Sequence, residues 1–148
     1  MDKELLGCWR VVNTDMVVGR AVRLIGGLPG EYVEFTGNGL YRLDIERPNP
    51  SECHCRTSTS GRLGELDVWI KGLEPLTTRC LYQIADDGLE ICISGDSRER
   101  PTELRRDDER LWCLMTLKRA EPPKPYKSGR EMPLLKPGKF IPDGFLDT

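Results

Sequence analysis

Cys53-His54-Cys55 sets two thiols and an imidazole in immediate succession. Thiolate and imidazole are favoured zinc ligands, so the triplet invites a metal reading. On an extended strand, however, successive side chains point to opposite faces. That puts Cys53 and Cys55 on one side and His54 on the other. His54 is the only histidine of the 148 residues, and no nearby C-x-x-C adds further thiolates. The triplet therefore reads as ordinary strand, and no metal is expected.

The same histidine is the sole candidate for a haem ligand or a general base. Nothing else in the chain offers an axial ligand, and no Gly-x-Ser-x-Gly elbow exists for it to activate. The carboxylate pairs Asp86/Asp87 and Asp107/Asp108 fall in hydrophilic turns, where turn chemistry accounts for them. No catalytic residue and no cofactor are expected, and the chain reads as a non-enzyme. Arg100-Pro101-Thr102-Glu103 is the remaining polar motif. It suits either an anion clamp at the mouth of a fold or a loop fixed by its own ion pairs. The second is favoured, with Arg100 on a carboxylate and Glu103 on a backbone or arginine partner.

The elements that must carry these residues are strands. The chain is 38% hydrophobic and 31% charged, with a formal net charge of -2, as suits one soluble globular domain. No basic field exists to grip phosphate backbones, so nucleic acid is not expected as a partner. No apolar run is long enough to span a bilayer, and no secretory signal stands at the start; a cytoplasmic location is expected. Four of the six cysteines (Cys8, Cys53, Cys55, Cys80, Cys92, Cys113) lie in apolar strand-like runs, which points to reduced, buried thiols.

Alternation dominates the pattern. Strands are predicted over 5–13, 31–35, 40–45, 53–60 and 66–70. Two more form a hairpin over 79–94, turning at Asp86-Asp87-Gly88, and the last covers 110–118. In the first, Gly7, Trp9 and Val11 share a face opposite Arg10. In the third, Tyr41, Leu43 and Ile45 share a face opposite Arg42 and Asp44. Residues 14–30 are a glycine-punctuated apolar connection. Eight strands with short connections predict an all-β fold, an eight-stranded antiparallel up-and-down barrel over residues 1–120, because closure removes exposed edges. Residues 121–148 hold six of the eleven prolines and no periodicity, so an extended Pro-rich tail is predicted there.

Gly7-x-Trp9 on a first strand resembles the opening motif of the lipocalin and calycin barrels. There the tryptophan closes one end and a basic residue after the last strand packs over its ring; Lys118 and Arg119 stand where that residue is due. The second half is similar to the planctomycete-type lipocalin-like domain family. The likeness is carried by Tyr82, Asp86 to Gly88, Cys92, Arg100-Pro101-Thr102-Glu103 and Leu117-Lys118-Arg119. It covers about residues 4 to 120. The chain departs from that pattern at Pro50-Ser51-Glu52-Cys53-His54 and at Cys80, which stands in place of a glycine.

The barrel implies an interior. Val11, Val33, Phe35, Tyr41, Leu43, Tyr82, Ile84, Leu89, Ile91 and Met115 are expected to line it. A tyrosine hydroxyl would orient a small apolar or amphipathic ligand there, gated by residues 15 to 30. The alternative is a filled barrel that binds a protein partner through residues 121–148 and the Arg100 loop.

Overall fold

A computed structural model describes residues 1–15, 25, 28–37, 39–43, 51–60, 63–70, 72–96 and 98–122, with the side chains at 41–43, 51, 52 and 60 excepted. Eight strands close into one antiparallel barrel: β1 (Gly7–Thr14), β2 (Tyr32–Phe35), β3 (Gly39–Leu43), β4 (Ser51–Ser60), β5 (Leu63–Trp69), β6 (Thr78–Ala85), β7 (Gly88–Ser94) and β8 (Trp112–Arg119). Each strand pairs with its sequence neighbours, and β8 returns to β1 through Trp9 opposite Arg119 and Val11 opposite Leu117. The predicted fold class is therefore the observed one. One 3₁₀ turn, Glu74–Leu76, interrupts the β5–β6 connection. Among the described residues no helix is long and apolar enough to cross a membrane.

Closure follows from the alternation. Trp9, Val11, Val33, Phe35, Leu40, Cys53, Cys55, Leu66, Val68, Cys80, Leu89, Ile91, Ile93, Cys113, Met115 and Leu117 belong to one buried cluster inside the barrel. Polar and charged side chains of the same strands fall in the opposite phase, as with Arg56 opposite Asp67 and Gln83 opposite Glu90. The 79–94 hairpin forms as expected. Its positive φ is taken by Asp86 (57°), a residue type that tolerates the left-handed region, while Gly88 already lies in β7.

Several boundaries differ from the sequence reading, three of them with a clear local cause. The first strand begins at Gly7, because Leu5 N–H donates to the Asp2 carbonyl and Leu6 N–H to that of Lys3, which makes residues 2–6 a turn. Strand β5 begins at Leu63, three residues before the expected Leu66, because its polar Gly64-Glu65 start pairs with Thr59 and Ser58. Strand β8 begins at Trp112, since Leu111 takes a φ of 60°.

The ends of the barrel are unlike. Residues 1–6, the described residues of the β2–β3 turn, the β6–β7 turn and the ends of β4 and β8 gather at one, the lower end. The described residues of the longer β1–β2, β5–β6 and β7–β8 connections gather at the other, the upper end. Residues 123–148, where the extended tail is predicted, lie outside the described residues, as do 16–24, 26 and 27 of the expected gate.

Candidate functional site

Trp9 locks the lower end. Its indole is fully buried, its Nε1–H donates to the Leu5 carbonyl at 2.9 Å, and the Arg119 guanidinium lies 3.9 Å from the ring centroid. Arg119 also donates to the carbonyls of Glu4 and Leu6, so one cation ties the last strand to the first turn over the tryptophan face. Gly7 belongs to the same lock. It sits at φ 117°, a conformation L side chains rarely adopt, and a Cβ there would meet Arg119 Nη1 at 2.9 Å. Of the two cations expected over the ring, only Arg119 takes the place. Lys118 pairs with Arg10 in the alternate phase and points to solvent.

The expected lumen residues divide. Val11, Val33, Phe35, Leu89, Ile91 and Met115 are buried in the interior cluster with Tyr82, and Ile84 packs against it. The side chains of Tyr41 and Leu43 lie outside the described residues. The register sets Leu40 opposite Phe35, Tyr41 opposite Glu34 and Leu43 opposite Tyr32, so Leu40 occupies the inner phase of β3.

Two residues outside the strands add to the interior. Leu5 enters from the lower turn and Ile25 from the upper β1–β2 connection, and each is fully buried in the cluster. The hydroxyl of Tyr82 donates to Asp2 Oδ2 at 2.6 Å, and Asp2 N–H donates to Thr57 Oγ1 at 2.7 Å. Burial, then the Asp2 carboxylate, push the Tyr82 hydroxyl well above the ordinary tyrosine range, so it stays a neutral donor. Gly64, which sequence reasoning missed, makes room for that ring. A Cβ there would lie 2.3 Å from Tyr82 Cε1 and Cζ. Gly64→Ala is expected to cost about 1–3 kcal/mol through overpacking. A double-mutant cycle with Tyr82→Ala, read by urea denaturation, should recover most of that loss; simple additivity would contradict the account.

The outer wall carries the Arg100 network. Arg100 donates to the Cys80 carbonyl at 2.7 Å, to the Leu66 carbonyl at 3.4 Å and to Asp67 Oδ1 at 2.5 Å, and it lies 3.7 Å from Glu65. Asp67 is also reached by Arg56 at 3.3 Å and Arg79 at 3.9 Å. Glu103 accepts from Arg105, and Pro101 is buried. These are the structural partners expected of the motif. With Arg100 pinned, residues 100–104 bridge the outer faces of β5 and β6. A groove of about 780 Å³ lies between, lined by Leu63, Glu65, Leu81, Gln83, Arg100, Pro101, Thr102 and Leu104. Its apolar floor is continuous with a second core on the outside of the barrel. There Leu81, Cys92 and Trp112 are buried and Leu63, Leu104 and Leu114 pack against them. Arg105 and Arg110 lie 5.4 and 5.2 Å from the Trp112 ring.

His54 points outward, with its ring 5.9 Å from Trp69 and the planes 22° apart, while Cys53 and Cys55 are buried in the interior. This is the strand alternation anticipated for the triplet. Among the described residues no group of three or more histidine, cysteine or acidic side chains is placed to hold a metal ion. All six cysteines are buried, and none is in a disulfide. Burial first of all pushes the Cys8 and Cys55 thiols from an ordinary 9.0 up to about 12, and Cys92 to about 11; Cys80 is raised as well. Thiolate is the attacking form, so these thiols are inert at neutral pH. Ellman's reagent should read close to none of them in the folded protein and all six in denaturant; a fast native phase would contradict this. Because the folded state holds these protons more tightly, their contribution is full below pH 9 and fades as pH climbs toward 11–12. The unfolding free energy should therefore fall across that window.

No protein family and no curated protein matches this chain in sequence.

Proposed function

We propose that the protein is a non-enzymatic binding protein. A lipocalin-like barrel, filled by its own side chains, is the scaffold, and the outer-wall groove under the Arg100 loop is the recognition site. The groove carries the reading. Its 780 Å³ is within the range of sites that hold specific ligands, and its rim is fixed by a guanidinium anchored on two carbonyls and a carboxylate. Leu63, Leu81 and Leu104 offer apolar contact, while Glu65, Gln83 and Thr102 offer polar partners along the same strip. That mixture suits an extended segment of a partner protein, whose backbone groups need donors and acceptors between side-chain contacts. Residues 121–148 are a second proposed contact with the same partner.

The rival reading places a small apolar or amphipathic ligand in the lumen. It is weakened by two facts: the Tyr82 hydroxyl already has Asp2 as its acceptor, and Leu5 and Ile25 add their fully buried side chains to the interior cluster. Peptides selected by display on the full-length protein separate the two. Gln83→Trp and Thr102→Trp fill the groove from exposed positions. Each should weaken a selected peptide by roughly tenfold or more while leaving the melting temperature unchanged. Undiminished binding in both variants would contradict the proposal. Uptake of an apolar dye that alters Trp9 fluorescence would favour the lumen.

A further inference from the structure

The upper end of the barrel carries a different surface, which stands independently of the groove. Ile70, Leu73 and Leu76 are exposed within one short connection, Leu76 at 52%, and Leu28 and Leu111 are exposed at the same end. Successive tight turns, with Leu73 N–H on the Ile70 carbonyl at 2.8 Å and Leu76 N–H on that of Leu73 at 2.9 Å, set the three exposed aliphatics three residues apart along the tip. Thr77 N–H donates to the Glu74 carbonyl, and the exposed Glu74 carboxylate accepts from Gly72 N–H at 3.2 Å. The tip can therefore enter an apolar phase with these backbone groups already bonded.

Directly behind the tip stands Trp69, half-buried and stacked on His54, with the Arg56 guanidinium 5.5 Å from its ring. The charge around it is layered. The side chains of Arg56 and Arg79 are 71% and 38% exposed, whereas Asp67, which they share with Arg100, is 10% exposed. Glu65 is drawn toward Arg100 and Ser58. Cations thus face outward and the carboxylate they share lies beneath them.

We propose that the β5–β6 corner is a peripheral anchor for an anionic lipid surface: Ile70, Leu73 and Leu76 enter the acyl boundary, Trp69 lies at the headgroup level, and Arg56 and Arg79 meet the headgroups. An apolar tip, an amphipathic indole and a cationic fringe in that order are what an interfacial site requires. A second copy of the chain would match the aliphatics but bring the same cations against the fringe, which is why lipid is the better occupant.

Sedimentation of the full-length protein with vesicles of phosphatidylcholine alone, or with about one third phosphatidylserine, tests this. Binding to the anionic vesicles should exceed that to the neutral ones by roughly tenfold and weaken with salt. Leu73→Asp with Leu76→Asp alters exposed positions only and should abolish it, while Arg56→Gln should reduce the anionic preference. No sedimentation with either composition overturns the proposal, as does binding that survives the double substitution. A concentration-dependent dimer lost in that variant, without vesicle binding, assigns the surface to a second copy and likewise overturns it.

Discussion

Trp9→Ala is expected to lower the free energy of unfolding by about 3–5 kcal/mol, the range for removing a large aromatic from a packed core. Three terms act together. The indole volume is lost at a site with no solvent access, the Leu5 carbonyl loses its donor, and Arg119 loses the face it covers. At a slope of ~1–3 kcal/mol per molar urea, the midpoint should fall by about 2 M. Trp9→Phe keeps most of the volume but not the N–H, and should cost about 1–2 kcal/mol. A midpoint unchanged by Trp9→Ala would mean that this lock does not hold the barrel closed.

Arg100→Ala is the second large effect, expected at about 2–4 kcal/mol. Removing one partner of a buried pair leaves the other uncompensated, and two carbonyls lose their donor with it. Arg56 and Arg79 remain on Asp67, which keeps the loss below that of an isolated buried pair. Arg100→Lys should recover little, because a point charge cannot serve two carbonyls and a carboxylate in one plane. Urea denaturation reads the stability, and the affinity for a display-selected peptide reads the groove. Both should fall together, since the same guanidinium holds the loop that forms the rim. Full rescue by lysine would contradict that geometry.

The local features of this fold are written in local patterns. The β6–β7 hairpin follows from strict alternation on either side of a turn that tolerates a positive φ at Asp86. The lower lock is readable from Gly7, Trp9 and a cation after the last strand, since only a glycine leaves room for a guanidinium beside the indole. What the pattern hides is set by neighbours distant in sequence. In β3, Leu40 is fully buried, a placement set by its pairing opposite Phe35 of β2. Gly64 looks like loop punctuation until Tyr82 is placed across from it. The groove depends on Arg100 meeting Asp67, Leu66 and Cys80 from a connection that no periodicity describes. Leu5 and Ile25 lie outside any strand, so their burial comes from closing the cylinder and not from alternation.

Recognition on the outer wall, with the interior kept shut, is tested most directly by an NMR titration of the full-length chain with a display-selected peptide. The account predicts that amide and methyl signals of Leu63, Leu81, Gln83, Thr102 and Leu104 move while those of Val33, Ile91 and Met115 hold still. Movement of the interior set with a silent groove would contradict it.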